Sequence, residues 1–431
     1  MIVLFKILQV ILALSLLIIV HEAGHFLFAK LFHIRVEKFY LFFDVGGKAL
    51  LKFKKGETEF GIGWLPFGGY CKISGMIDES MDLESMKKEP QEWEFRCHSA
   101  WQRLLVMAGG VLFNFIFAIL AFSIISGIWG SAYIPNRQAQ IYPNELARDM
   151  GFRSGDHIIS IDDYEPSDFS SLQADLIRRE GHKVQVLRGT DTINVYMDQA
   201  RTAEILNSPM MFDLALPFIV DSVSAPENAK ELARGDRILS IDGQSTEFFQ
   251  DAQPVLKACA GSTAEATILR DGHLVTAPIQ VDSAGRIGIY LKAPNVERRH
   301  YNALESVGQG VKRTGSTITG YVQDLKLVAK PSTGAYKSVG SFIAIGQVFP
   351  SKWDWFQFLN IVALLSIMLG VMNLIPIPGL DGGHILFTLY EMVSGRKPSE
   401  KFLMVMQIIG MFLLFMLMFL AFGNDISRLI K

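Results

Sequence analysis

Four long apolar runs constrain this chain more than any other feature. Val3 to Leu31, Leu104 to Trp129, Phe356 to Leu374 and Phe402 to Phe422 are each long enough to cross about 30 Å of hydrocarbon at about 1.5 Å per helical residue. A cleaved signal peptide has a shorter apolar core followed by a small-residue cleavage site, and the first run has neither. Half of the 431 residues are hydrophobic and only 19% are charged, yet 37 Gly, 16 Pro and 41 Lys and Arg are too many for a purely embedded protein. The mean hydropathy of +0.27 thus describes a membrane protein carrying a soluble part. A formal net charge of −2 provides no basic stripe for a phosphate backbone, so no nucleic acid is expected as partner. Cys71, Cys97 and Cys259 have neither CxxC spacing nor a framework pattern, which excludes a disulfide scaffold and a thiolate zinc site.

Lys and Arg near the span ends set the orientation. Lys30, Arg35, Lys38, Arg96 and Arg103 bracket the first loop, and Arg396, Lys397 and Lys401 fill the third, against Lys6, Arg137 and Lys352 opposite. The first and third loops are expected in the cytoplasm, with the insert from about residue 130 to 356 and both termini outside. The insert repeats itself: Gly155-Asp156-His-Ile158-Ile159-Ser-Ile161-Asp162 returns as Gly235-Asp236-Arg-Ile238-Leu239-Ser-Ile241-Asp242. Each copy reads as a short helix, a Gly-Asp turn and an alternating strand closed by a second Asp turn. The pattern resembles the PDZ domain, a β-rich module able to take up a peptide as an added strand.

The first run contains His21-Glu22-Ala23-Gly24-His25, an HExxH motif. Residues i and i+4 share a helix face, so both imidazoles can reach one Zn²⁺ while Glu22 stays beside it without ligating. Three ionisable groups inside an apolar span are costly unless they face a cavity, which makes their placement an argument for function. A catalytic zinc site usually takes a third protein ligand. Asn373-Leu-Ile-Pro376-Ile-Pro378-Gly379-Leu380-Asp381-Gly382-Gly383-His384 ends the third run with a proline- and glycine-broken backbone, tolerated at membrane depth where it lines a cavity. Asp381 reads as the ligand. His384 competes for that role, but with the helix resuming after Gly383 it reads better as a neighbour packed beside the site.

HExxH in the first span, a tandem PDZ-like insert and NxxPxPxLDGG in the third span together resemble the site-2 protease family of intramembrane zinc metalloproteases, in its bacterial regulator-of-sigma-E branch. The resemblance covers nearly the whole chain. It implies a bacterial inner-membrane, multi-pass α-helical protein with four transmembrane helices, a cytoplasmic membrane-associated β-hairpin and two extracytoplasmic β-rich PDZ-like domains. The expected layout is a first transmembrane helix at 1–32, a cytoplasmic hairpin and helical region at 33–100 and a second transmembrane helix at 101–130. PDZ-like domains follow at 131–215 and 216–295, then a helical linker at 296–355, a third span at 356–390, a cytoplasmic loop at 391–401, a fourth span at 402–423 and a tail at 424–431.

The resemblance further implies Zn²⁺ on His21, His25 and Asp381, Glu22 as catalytic base on the cytoplasmic side, and Asn373 and Pro376 as substrate-holding residues. It implies that Glu59 to Tyr70, with Gly61, Gly63, Gly68 and Gly69, forms the hairpin that offers substrate an edge strand. An ordinary cytoplasmic hairpin reads the same from sequence. The implied substrates are single-span membrane proteins, such as an anti-sigma factor trimmed outside the membrane, and remnant signal peptides within the lipid bilayer. Two departures from the family pattern, Val111 for Pro in Gly110-Val111-Leu-Phe-Asn114 and Gly340-Ser-Phe342-Ile343 for a Gly-Pro-Ile segment, leave the metal set untouched. A non-catalytic PDZ scaffold is the alternative from another class, but a scaffold has no need of three costly polar groups in lipid. A zinc or proton transporter would spread polar residues along several spans. Trp93, Trp101, Trp129, Trp353 and Trp355 read as interfacial anchors, and the charged run from Asp78 to Glu94 as an exposed helix pair.

Overall fold

A computed structural model of the chain describes residues 2–76, 89–208, 210–340 and 342–430; most of the charged run from Asp78 to Glu94 lies outside them. The described residues form two compact units, one of residues 1–130, 300–329 and 336–431, the other of residues 131–299 and 330–335.

The first unit holds four helices long and apolar enough to cross a membrane. Helix α1 (Ile2–Leu31) ends where His33 takes a left-handed φ of 62° and the Ile34 amide donates back to the Ala29 carbonyl at 2.8 Å, a Schellman-type stop. Helix α2 (Ala100–Trp129) starts from a Ser99/Gln102 capping box and ends at Gly130. Helix α3 (Ala303–Val328), capped by Asn302 and Glu305, packs along α2: a Cβ on Gly310 would lie 2.2 Å from Ser123 Oγ. Helix α4 (Trp355–Leu374) stops before Pro376, as the missing N–H and the pre-proline restriction require. Helix α5 (Asp381–Ser394) resumes at Asp381, three residues earlier than the sequence suggests. Helix α6 (Glu400–Ile430) continues through the segment expected to be a tail.

Close approaches at three glycines set how these elements meet. A Cβ on Gly24 would sit 2.2 Å from the Gly109 carbonyl oxygen, so α1 and α2 touch backbone to backbone. In the Pro376–Leu380 break, a Cβ on Gly382 would meet the Ile375 oxygen at 2.2 Å and one on Gly383 the Ile377 oxygen at 2.7 Å. The first turn of α5 therefore folds tightly onto the loop that precedes it.

Between α1 and α2 the chain forms strands β1 (Val36–Phe43), β2 (Ala49–Lys55), β3 (Thr58–Gly63) and β4 (Leu65–Ile73) in one sheet of order β2-β3-β1-β4. The stretch read as a hairpin, Glu59 to Tyr70, is instead split across it. β3 pairs with β1 in parallel, β4 pairs with β1 antiparallel, and the antiparallel hairpin partners are β2 and β3. Parallel pairing of β1 and β3 requires the crossover that β2 supplies. β4 is left as an edge.

The second unit carries the repeat. Strand Ile141–Pro143 leads to strand His157–Ile161, helix Leu172–Arg178, hairpin Lys183–Arg188/Asp191–Tyr196 and strand Phe212–Leu214, which returns to pair with the first. Val220–Val223, Arg237–Ile241, Phe249–Ala258, Thr263–Arg270/His273–Gln280 and Ile289–Leu291 repeat that order, with the same closing pair. The expected short helix is present only in the first copy, as Glu145–Asp149. In the second, residues 226–231 are turns, and the Asn228 amide bonds across to the Gln280 and Ile287 carbonyls.

The repeated Gly-Asp has one physical role in both copies. Asp156 and Asp236 are buried and receive bidentate hydrogen bonds from Arg188 and Arg270, so each turn is tied to the hairpin behind it. The closing Asp162 and Asp242 adopt left-handed φ of 47° and 45°, and their carboxylates accept the Lys183 and Glu265 amides at 2.9 and 2.7 Å.

Burial pushes the Asp236 carboxyl up, but hydrogen bonds from Arg270 and the Ala233 amide outweigh it and hold the group below the usual carboxylate range. A depressed folded pKa stabilises the fold above the unfolded value near about 4 and loses that contribution as pH falls through the folded one. Asp236→Ala in the full chain is expected to cost about 2 kcal/mol at pH 7 and to flatten the acid dependence, read by hydrogen exchange of strand Arg237–Ile241.

Candidate metal centre

Helix periodicity places His21 and His25 on one face of α1, and both are buried. The α5 start turns Asp381 toward them. His21 Nε2 lies 3.3 Å from His25 Nε2, and Asp381 Oδ2 lies 3.2 Å from the first and 3.4 Å from the second. A tetrahedral zinc with bonds of about 2.0–2.1 Å holds its ligand atoms roughly 3.3–3.4 Å apart, so the triangle matches one face of that tetrahedron. Asp381 Oδ2 is buried and accepts no hydrogen bond, an orphaned oxygen that a cation would satisfy. Among the described residues these three side chains are the group able to hold a metal. The residues fit Zn²⁺.

Both imidazoles are oriented from α2. His25 Nδ1 is 2.9 Å from the Val106 carbonyl; it must donate there, which leaves Nε2 with a free lone pair. His21 Nδ1 lies 3.0 Å from the Asn114 amide group, whose other polar atom has no partner. Turning that amide by 180°, an exchange of near-identical atoms, lets the Asn114 oxygen accept from Nδ1–H and frees His21 Nε2 for metal. Ser366 of α4 donates to the Asn114 carbonyl at 2.9 Å. Gly110 makes this approach possible: a Cβ there would lie 2.5 Å from His25 Nε2 and 2.6 Å from His21 Cε1.

His21, His25 and Asp381 open on a cavity of about 1040 Å³ that Glu22, His384, Asn373 and the β4 residues Gly68 to Ile73 also line. Asn373 Nδ2 is 3.1 Å from His21 Nε2, and the Cys71 amide of β4 donates to the Glu22 carboxylate. The structure therefore brings His21, Glu22, His25, Asp381, Asn373, Gly68 and Gly69 together. Gly61, Gly63 and Pro376 are not among the lining residues. Gly61 lies under the Tyr40 ring and Gly63 against the Phe43 backbone, and Pro376 is exposed.

Sequence reasoning did not find Lys38, Asp44 and Tyr70, which line the same cavity. Lys38 Nζ and Tyr70 Oη donate to Asp44 at 2.7 and 2.6 Å. Burial raises the Asp44 carboxyl, but these two donors outweigh it and hold the group low; burial and Asp44 together push the Tyr70 phenol up. They are contributed by β1, the β1–β2 turn and β4, and no sequence spacing marks them as a set.

The pattern of peptidase family M50 matches residues 9–417. A relative in Vibrio cholerae whose name describes a zinc metalloprotease is 28% identical over 460 residues, 99% of each chain. Protease RseP of Yersinia pestis is 30% identical over 97% of this chain and 98% of its own. The regulator of sigma E protease of Haemophilus influenzae is 29% identical over the same shares.

Gly110→Val is expected to displace both rings and take zinc per chain close to zero. Asn114→Leu, which removes the acceptor for His21 Nδ1, should weaken zinc binding about 10–100-fold. Metal analysis after chelator competition measures both.

Proposed function

The chain belongs to peptidase family M50, the site-2 proteases, and we propose that it cuts single-span membrane proteins within or beside their transmembrane segments. It is a zinc metalloprotease, and the observation that carries the finer reading is the convergence of His21, His25 and Asp381 at 3.2–3.4 Å between helices apolar enough to span lipid. Polar groups retained there, in a cavity with a carboxylate beside them, suit hydrolysis inside the membrane.

Zn²⁺ on His21, His25 and Asp381 would polarise the scissile carbonyl and acidify a water. Glu22 removes the proton from that water as its oxygen adds to the carbonyl carbon. When the C–N bond breaks, Glu22 returns the proton to the leaving amine. The Cys71 amide on the Glu22 carboxylate keeps the base aimed into the cavity.

A helix in lipid satisfies its backbone internally, so the scissile bond is shielded until the helix opens. β4 is an unpaired edge on the cavity, suited to pair with the opened segment as an added strand. Gly68 and Gly69 bring the β4 backbone to the cavity wall by packing closely against Phe43 and Ile18, and Asn373 offers both a donor and an acceptor. The orientation proposed is active site toward the cytoplasm and repeats outside, in the inner membrane. The repeated pair, read as PDZ-like, acts as a filter that turns away substrates with bulky external domains or binds the new C-terminus of a trimmed one. The Haemophilus relative's name refers to sigma E; the matching substrates are an anti-sigma factor already cut outside the membrane, and remnant signal peptides.

Glu22→Gln is expected to retain zinc and lose cleavage of a single-span reporter by at least about 100-fold. Persistent turnover in that variant contradicts the assignment. Deleting residues 133–291 should admit reporters with intact external domains, and unchanged selection after the deletion rules out the filter.

A further inference from the structure

The run Phe402 to Phe422 contains a single polar side chain, Gln407. The residue is only 5% exposed, and no hydrogen bond to its side chain is found among the described residues. It does line the cavity of the metal centre, together with Met411, Leu414, Phe415 and Met418. Those positions recur at helical spacing, so one face of α6 is an apolar wall interrupted by one amide. A leucine would suit a helix face in lipid better, because an amide there loses hydration that an apolar side chain does not need.

An extended peptide has hydrogen-bonding groups along both edges. If β4 pairs with one edge, the other faces the cavity, where each N–H and C=O freed from the helix needs a new partner. Asn373 is one group in reach of that edge. We infer that Gln407 is another, a substrate-binding residue whose amide donates to and accepts from the peptide backbone on the side turned away from β4. This deepens the protease reading and rests on it. It also gives the amide a partner in the cavity that it lines: the chain to be cut. Functional sites commonly carry such a local loss of stability.

The test separates binding from chemistry. In full-length protein carrying Glu22→Gln, the affinity for a fluorescently labelled single-span reporter peptide is measured in micelles. Adding Gln407→Leu weakens the Kd about tenfold, as the loss of one or two hydrogen bonds in the cavity demands, and the melting temperature holds or rises. Gln407→Met, which keeps the length without the amide, weakens the Kd equally. A Kd within twofold of the parent in both variants overturns the inference, as does a fall in melting temperature, which would mark Gln407 as a packing residue. If the Glu22→Gln chain still cuts the reporter, the protease reading itself fails. If that chain is inactive and binds the reporter while both Gln407 variants bind equally well, only the role of Gln407 fails.

Discussion

A polar group inside a bilayer must find a partner within the protein, and the first unit is arranged around that requirement. Two imidazoles and a carboxylate meet at 3.2–3.4 Å, a separation that neither water nor hydrocarbon favours but a divalent cation does. Everything adjoining this triangle serves it. The backbone contact of Gly24 with Gly109 brings α2 near enough for Val106 and Asn114 to orient the two rings. The double-glycine start of α5 folds Asp381 back onto the Pro376–Leu380 break. Small residues at helix crossings are what close approach in lipid demands.

The same requirement extends to substrate. A transmembrane helix that opens exposes backbone groups to a medium that cannot satisfy them. The cavity answers with three kinds of partner: the free edge of β4, the Asn373 amide beside His21, and the Gln407 amide set in an otherwise apolar face of α6. In the proposed reading, protein groups take over, during cleavage, the hydrogen bonds that the substrate helix gives up.

The four apolar helices and the clustering of His21 with His25 were legible in the sequence because both signals are local. Apolar length marks a span directly, and the i, i+4 spacing of His21 and His25 needs no tertiary information. Asp381 was legible through the cost of a carboxylate in an apolar run. The sheet was not: a glycine-rich stretch from Glu59 to Tyr70 reads as a hairpin, whereas β1 inserts between its strands, and pairing partners far apart in sequence leave no periodic trace. For that reason Gly61 and Gly63 were assigned to substrate, although they accommodate Tyr40 and Phe43. The repeat in the second unit was visible as Gly-Asp-x-Ile, but the reason for it, an arginine from the hairpin clasping each buried aspartate, depends on residues 32 and 34 positions away. Gln407 carried a signal that was available and passed over, a lone polar residue in the fourth run.

The central claim is that this chain hydrolyses a peptide bond within the membrane through a zinc-dependent site. The most direct measurement reconstitutes the purified full-length protein in liposomes with a single-span reporter and maps the products by mass spectrometry. The account predicts cuts inside the reporter's apolar segment, absent after chelation and restored by Zn²⁺. Cuts confined to the reporter's water-exposed flanks, or cleavage that persists after complete removal of metal, would contradict it.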